Sequence, residues 1–211
     1  VLKFGDDWRC RSVREIQVLA PMKKGECGVQ ALNIRLQEAL NPPAPFKNER
    51  ASGDYVFREG DKVMHIRNNY QLAFRRVNEN GAVIKGEGVF NGDMGVITDI
   101  SDYDEELTIL FDDGRESVYN YKELDQIEHA FAVTIHKSQG SEYPAVIIPL
   151  LGGNRKLMNR NLIYTAITRA RQLVIIVGDV NLVNQMVDNS EEQKRYTSLA
   201  LRLEELNESM E

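Results

Sequence analysis

The pattern of apolar and polar residues differs between three parts of the chain. Residues 16–20, IQVLA, form a short apolar run that ends at Pro21 and predicts a buried strand. In residues 29–40, VQALNIRLQEAL, apolar side chains recur at helical spacing between Gly28 and an Asn-Pro-Pro sequence, so these residues predict a helix of about three turns. Residues 41–60 are rich in proline and charge and predict a surface loop. Residues 61–66, DKVMHI, predict another strand, and residues 67–77 fit neither class clearly.

From about residue 78 the pattern changes to short alternating runs. These runs are separated by Asn-Gly, Asn-Gly-Asp and Asp-Asp-Gly, the sequences that favour tight hairpin turns. The spacing predicts a small antiparallel β-barrel, with a core from Val96, Ile100, Leu107, Ile109, Phe111, Val118 and Tyr119.

After residue 130 strands and helices alternate again. The predicted strands are FAVTI (131–135), AVIIPL (145–150) and LVIIVGD (173–179), and the predicted helices are RNLIYTAITRAR (160–171), NLVNQMV (181–187) and a terminal TSLALRLEELNESM (197–210). Apolar strands therefore lie on both sides of the barrel. The expected fold is one α/β domain in two parts, residues 1–79 and 128–211, interrupted by a barrel at residues 80–127.

Composition and charge narrow the function. No apolar run reaches the about 20 residues of a membrane span, and Cys10 and Cys27 are too few for a disulfide framework, so a cytoplasmic protein is expected. The net charge of −6 is unevenly distributed: residues 86–129 hold two basic and 13 acidic side chains, whereas residues 130–172 hold six and one. Binding of nucleic acid depends on the local field, so the basic block is a candidate.

The polar segment HKSQGSE (136–142) lies in this basic block and separates two predicted strands. A turn needs only one or two polar residues, so the segment predicts a loop that holds a ligand. The basic turn APMKKGECG (20–28) is a second candidate for phosphate contact. Tyr70 and Asn91, with their neighbours Asn69 and Phe90, are candidates for stacking and hydrogen bonding to a single strand. For the basic turn, a solvated turn without a ligand is an equal alternative. For Tyr70 and Asn91, a packed ring and a hairpin Asn-Gly are at least an equal alternative.

Three stretches together resemble RecD-like DNA helicases of superfamily 1, including the exodeoxyribonuclease V alpha subunit. They are VLAPMKKGECGVQALNIRLQEALNP (18–42), TIHKSQGSEYPAVIIPL (134–150) and RNLIYTAITRARQLVIIVGD (160–179), and the likeness runs from about residue 14 to 180. The resemblance implies the second RecA-like domain of such a motor, 2A, with an SH3-like barrel, 2B, inserted in it. It also implies a C-terminal fragment, which agrees with the abrupt start of the chain.

The resemblance assigns roles to individual residues. Arg169 is expected to be the catalytic arginine finger, with Gly140 and Glu142 beside it near ATP. The residues expected to bind DNA are Thr134, His136, Lys137, Ser138, Lys23, Tyr70 and Asn91. Arg171 is the weaker candidate for the finger, and Arg160 is expected to be structural. No metal ligands are expected in this chain.

The sequence has no G-x-x-x-x-G-K-[ST] phosphate cradle. ATP and Mg²⁺ are therefore expected to be bound mainly by an absent N-terminal motor domain, and the chain alone is expected to be inactive. The implied partners are that domain, single-stranded DNA and other exonuclease V subunits, in a 5′-to-3′ DNA helicase. The alternative is a non-catalytic nucleic-acid-binding or adaptor module with a RecA-like fold.

Overall fold

The computed structural model describes residues 15–152 and 157–189, together with Arg202. In chain order its elements are β1 (Ile16–Ala20), α1 (Val29–Leu40), β2 (Glu49–Ser52), β3 (Tyr55–Arg58), β4 (Lys62–His65), β5 (Asn69–Val77), β6 (Val83–Val89), β7 (Met94–Ser101), β8 (Glu106–Phe111), β9 (Arg115–Asn120), β10 (Ile127–His129), β11 (Ala132–Thr134), β12 (Tyr143–Leu150), α2 (Arg160–Ile167), β13 (Ala170–Gly178) and α3 (Val180–Asp188). Two 3₁₀ segments, Tyr121–Gln126 and Ile135–Ser138, complete the description. The terminal helix expected at residues 197–210 lies outside the described residues.

A parallel sheet of four strands forms the α/β part, in the order β11-β1-β12-β13. Strands β1, β11 and β12 are apolar and almost entirely buried, as strands of parallel sheets usually are, whereas β13 is buried only in its middle. Leu19, Val146 and Ile148 pack in its core with Leu162 and Ala166 of α2. The predicted α/β class is confirmed.

An antiparallel sheet of seven strands forms the barrel, in the order β10-β4-β7-β8-β9-β5-β6. Its core contains Leu107, Ile109 and Phe111 of β8, as the alternation in the sequence predicts. The prediction for Val118 is wrong, since 44% of this side chain is exposed. Side chains along a strand alternate between the faces of the sheet, so Tyr119 points into the core and Val118 points out.

The barrel begins earlier than the predicted residue 80. β4 pairs with β7, and β5 pairs with β6 and β9, so residues 62–77 already belong to the antiparallel sheet. The predicted loop at residues 41–60 is also wrong in part, because β2 and β3 form a hairpin around Gly53, which has a φ of +57°. All four residues of β4 are buried, so this strand lacks the alternation of buried and exposed positions that indicates a barrel strand.

The chain enters and leaves the barrel at one place. β4 and β10 are neighbours, with Val63 opposite His129. Next to them the buried carboxylate of Asp61 accepts hydrogen bonds from the side chains of Gln37 (2.6 Å) and Asn41 (2.7 Å), and His129 Nε2 lies 3.0 Å from it. Side chains of α1 thus hold both strands that connect the barrel to the α/β part.

Candidate functional site: a loop that crosses the parallel sheet

Residues 135–142 connect β11 to β12, which lie on the two sides of β1 in the parallel sheet. Thr134 is level with Ala20 of β1, and Ala145 is level with Ile16. Four residues of β1 separate these levels, which corresponds to about 13 Å at 3.3 Å per residue. The segment therefore begins at the carboxyl ends of β1 and β11 and finishes at the amino ends of β12 and β13.

At the carboxyl edge, the segment opens with a tight 3₁₀ turn. Thr134 caps this turn, its hydroxyl oxygen accepting a hydrogen bond from the backbone N–H of Lys137 at 3.2 Å. Lys137 reaches across to β10, where its Nζ lies 2.8 Å from Glu128 Oε2. Thr134, Lys137 and Lys23 line a single cleft between α1 and the barrel. The structure thus brings together three of the predicted DNA-binding residues.

The two remaining predicted residues of this turn differ in exposure. His136 is exposed at the carboxyl edge. Ser138 is fully buried, and its hydroxyl donates a hydrogen bond to the carbonyl of Ile135 at 2.7 Å. Ser138 therefore closes the turn from inside and presents no surface to a ligand, a geometry that speaks against its predicted contact with DNA.

At the amino edge, the same segment meets Arg169. The Arg169 guanidinium donates to the carbonyl oxygens of Ser141 (3.2 Å) and Thr165 (3.3 Å). The Arg169 carbonyl in turn accepts from the N–H of Tyr143 at 2.8 Å. Gly140 lies just before with a φ of +89° and open space where a Cβ would stand, so its conformation, not crowding, requires glycine.

Arg169 does not belong to the helix in which the sequence analysis put it. α2 ends at Ile167, because the Thr168 hydroxyl bonds back to the carbonyls of Tyr164 and Thr165 and because Ala170 starts β13 opposite Tyr143. Pairing within the sheet overrides helix propensity here. The Arg169 side chain is therefore half-buried at the amino end of β13, where its guanidinium contacts main-chain carbonyls of Ser141 and Thr165.

Glu142 and Arg171 form a separate pair at this edge. Arg171 Nε lies 2.8 Å from Glu142 Oε2, and both side chains are more than half exposed. Glu142 therefore contacts Arg171 and not Arg169 in this structure. Arg160 is engaged elsewhere, with its Nε donating to the carbonyl of Val187 in α3 at 2.6 Å, which fits the structural role expected for it.

Tyr70 and Asn91 lie together on the barrel. The rings of Tyr70 and Phe90 meet edge to face, with centroids 5.6 Å apart, and 69% of Tyr70 is exposed. The backbone N–H of Asn91 donates to the Asn68 side chain at 3.0 Å. Neither Tyr70 nor Asn91 lines the cleft that contains Lys23, so the predicted DNA-binding residues fall into two groups.

Sequence reasoning missed Tyr55 and Glu128, which line the cleft beside Lys137. Tyr55 lies in the segment expected to be a loop, and its ring meets that of His129 edge to face at 5.4 Å. Burial first, and then the charges of Glu128 and Asp54, raise the pKa of Tyr55. No spacing in the sequence signals this arrangement, since 73 positions separate the two residues.

Among residues 15–152 and 157–189, no group of three or more His, Cys, Asp or Glu side chains is arranged to hold a metal ion. Within the same described part of the chain, no helix has the length and apolar character needed to cross a membrane.

Comparison with known proteins identifies relatives of both parts. Residues 32–111 match the family model for the SH3 domain of ATP-dependent RecD-like DNA helicases. Residues 129–177 match the model for the C-terminal domain of UvrD-like helicases. The division between the two matches falls between β8 and β10.

Individual sequences agree with these models. The chain is 32% identical over 188 residues to the ATP-dependent RecD2 DNA helicase of Deinococcus radiodurans, covering 89% of this chain and 23% of that protein. It is 34% identical over 189 residues to the RecBCD enzyme subunit RecD of Mycolicibacterium smegmatis, covering 90% and 29%. The chain thus spans less than a third of the length of either relative.

The fold is shared with a solved helicase structure. Bacteroides Pif1 bound to single-stranded DNA superposes with a TM-score of 0.50 at 17% identity, covering 97% of this chain and 48% of that one. At this identity the likeness concerns the fold alone.

Proposed function

Since this chain belongs to the RecD-like family of DNA helicases, we propose that it is the C-terminal motor half of an ATP-dependent 5′-to-3′ DNA helicase. The alternative is an adaptor without catalysis, which would have no use for the Arg169 guanidinium held beside Ser141. The observation that carries the proposal is the course of residues 135–142. The segment begins at the carboxyl ends of β1 and β11, where Lys137 lies, and finishes at the amino ends of β12 and β13, where Ser141 contacts Arg169.

In the proposed mechanism Arg169 acts as the arginine finger. ATP bound with Mg²⁺ supplies the energy of phosphoryl transfer, and its negative charge spreads over the γ-phosphate in the transition state. A guanidinium has five N–H donors and is always charged, so donors remain on Arg169 beyond those that bind Ser141 and Thr165. Gly140 and Glu142 would stand beside the nucleotide at the same edge.

The residues present fit one side of an ATP site only. The 211 residues contain no phosphate cradle, so a RecA-like N-terminal domain of a longer protein would hold the phosphates and Mg²⁺. The chain would close that site from the other side. The RecD relative is named as a subunit of the RecBCD enzyme, and other exonuclease V subunits are proposed as partners on that ground.

The DNA side of the mechanism belongs to the carboxyl edge. Single-stranded DNA would contact Lys23, Thr134, His136 and Lys137 through its phosphates, and the pair of Tyr70 with Phe90 would stack on bases. Because residues 135–142 connect both edges directly, a shift of the segment on DNA binding would move the main chain that holds Arg169. We propose this as the path that couples the two sites.

The test is to measure ATP hydrolysis with and without single-stranded DNA, first for the 211-residue chain and then after adding the separately produced N-terminal half of the longer protein. The chain alone is expected to show no hydrolysis above background, and the mixture is expected to show DNA-stimulated hydrolysis. Hydrolysis by the chain alone would refute the proposal, and so would a mixture that stays inactive although the halves associate.

A further inference from the structure

The ion pair of Lys137 with Glu128 occupies the cleft in which DNA is proposed to bind. The two charged groups are 2.8 Å apart, and their side chains are 27% and 26% exposed. Lys137 belongs to the segment that crosses the sheet, whereas Glu128 belongs to β10, the last strand of the barrel. The pair therefore joins the α/β part to the barrel at the mouth of the cleft.

Glu128 is an acidic group among basic and polar ones. Lys23, Lys137 and the Thr134 hydroxyl line the same cleft, and all of them suit an anion. The Glu128 carboxylate stands where an anionic group contacts Lys137 best, as a phosphate oxygen would. A carboxylate and a backbone phosphate each present two anionic acceptor oxygens, and both bind an ammonium group at similar distances.

We propose that Glu128 takes the place of a DNA backbone phosphate on Lys137, and that single-stranded DNA must displace it in order to bind. The inference rests on the proposed function, because it assumes that the cleft binds single-stranded DNA. Glu128 then competes with DNA phosphates for Lys137 and lowers the affinity for DNA. Each time DNA binds, the ion pair that joins the barrel to the α/β part is broken.

Displacement has a consequence for salt dependence. A free lysine that neutralises a phosphate of single-stranded DNA releases about 0.7 counterions. Lys137 is already neutralised by Glu128, and a displaced Glu128 carboxylate attracts a cation again. The wild-type chain should therefore release fewer counterions than a variant that lacks the Glu128 charge.

The experiment measures binding of the 211-residue chain to a fluorescein-labelled oligothymidylate of about 12 nucleotides by fluorescence anisotropy, from about 50 to 200 mM salt. Glu128→Gln should bind about three- to fivefold more tightly at low salt, as expected for removal of a partly exposed ion pair. Its plot of log K against log salt concentration should be steeper by about 0.7.

The matched control is Glu116→Gln. The Glu116 side chain is 27% exposed and ion-paired with Arg75, so the substitution removes the same charge at nearly the same exposure. Glu116 belongs to β9, four strands from β10 in the order of the sheet. It should change the affinity by less than about twofold, since Glu116 does not line the cleft that contains Lys23 and Lys137. Adding Lys137→Ala to Glu128→Gln should abolish the gain, because the gain depends on a freed Lys137.

The outcomes separate this inference from the proposed function. If the wild-type chain binds DNA and Glu128→Gln matches Glu116→Gln in affinity and slope, Glu128 is not a competitor and the inference is wrong, while the proposed function stands. If neither the wild type nor Glu128→Gln binds at the lowest salt, the proposed DNA contact itself is wrong. Binding by Glu128→Gln with a steeper slope supports both.

Discussion

Asn33 of α1 pairs with both backbone groups of Ala132. Its side-chain oxygen accepts from the Ala132 N–H at 2.7 Å, and its side-chain nitrogen donates to the Ala132 carbonyl at 3.0 Å. Ala132 lies in β11, the strand at the edge of the parallel sheet, so a helix side chain replaces the missing neighbouring strand. Both residues are buried, and water does not compete for these groups.

Replacing the Asn33 side chain should lower the stability of the folded chain. Asn33→Ala leaves a buried N–H and a buried C=O of Ala132 without partners, so the free energy of unfolding should fall by about 2–4 kcal/mol. Urea unfolding monitored by circular dichroism measures the change. Asn184→Ala, at an exposed position of α3, is the control and should stay within about 0.5 kcal/mol of the wild type. Equal midpoints for the two variants would contradict the role of Asn33.

His65 should make stability depend on pH. Burial lowers the pKa of His65, with a smaller opposing effect of Asp93, and its Nε2 has no hydrogen-bond partner among the described residues. As the pH falls, the unfolded chain therefore protonates this histidine near pH 6.5, whereas the folded chain protonates it only at a lower pH. The stabilisation by His65 is complete above about pH 6.5 and declines as the pH falls below it, by at most about 1.4 kcal/mol per pH unit.

The measurement is urea unfolding between about pH 5 and pH 8. His65→Gln, which keeps an acceptor near the Tyr119 hydroxyl 3.0 Å away, should flatten this part of the profile. Asn184→Ala, which changes an exposed residue that does not titrate, is the control and should leave the profile unchanged. A His65→Gln profile parallel to that of the wild type would show that His65 does not cause the decline.

Arg169 should control catalysis in the longer protein. Arg169→Ala should lower kcat for ATP by about 10³-fold or more, the range reported for arginine fingers, with binding of single-stranded DNA retained. Arg171→Ala is the control, since Arg171 is exposed and pairs with Glu142, and it should change kcat by less than about tenfold. Steady-state kinetics decides, and a larger loss for Arg171→Ala would move the finger to that residue.

The boundaries of the barrel can be tested by two deletions. Removing residues 80–127 takes away β6–β9 and leaves β5 without a neighbouring strand and β4 with only Glu128 and His129 of β10, so this variant should aggregate or lose cooperative unfolding. Replacing residues 66–126 by a short Gly/Ser turn keeps β4 paired with β10 and joins His65 to Ile127, which are opposite each other. This second variant should keep a cooperative thermal transition. The reverse result would restore the boundary at residue 80.

Part of this architecture follows from local sequence and part does not. Apolar runs, the helical spacing in residues 29–40 and the Asn-Gly and Asp-Asp-Gly turns predict β1, α1, β12, β13 and the barrel, because each is determined by neighbouring residues. The sequence places β4 in the α/β part, since DKVMHI (61–66) has no regular alternation of apolar and polar residues that would distinguish a barrel strand.

The missed features of the site are contacts between distant positions. Asn33 and Ala132 are 99 residues apart, and Asp61 and His129 are 68 apart. The end of α2 at Ile167 also depends on a distant strand, since Ala170 pairs with Tyr143. Motif resemblance located Thr134, Lys137 and Arg169, but it could not show that Glu128 holds Lys137.

The pairing of β4 with β10 also sets an order of folding. Ala20 pairs with Thr134, so β1 and β11 close a loop of about 110 residues, and closing long loops costs chain entropy. A barrel that has already joined Val63 to His129 shortens this loop to about 50 residues and lowers the cost by about 0.8 kcal/mol. Since contacts distant in sequence form slowly, we expect the barrel to fold first. Pulsed hydrogen exchange during refolding should protect the amides of β7–β9 before those of β1 and β11, and simultaneous protection would contradict this order.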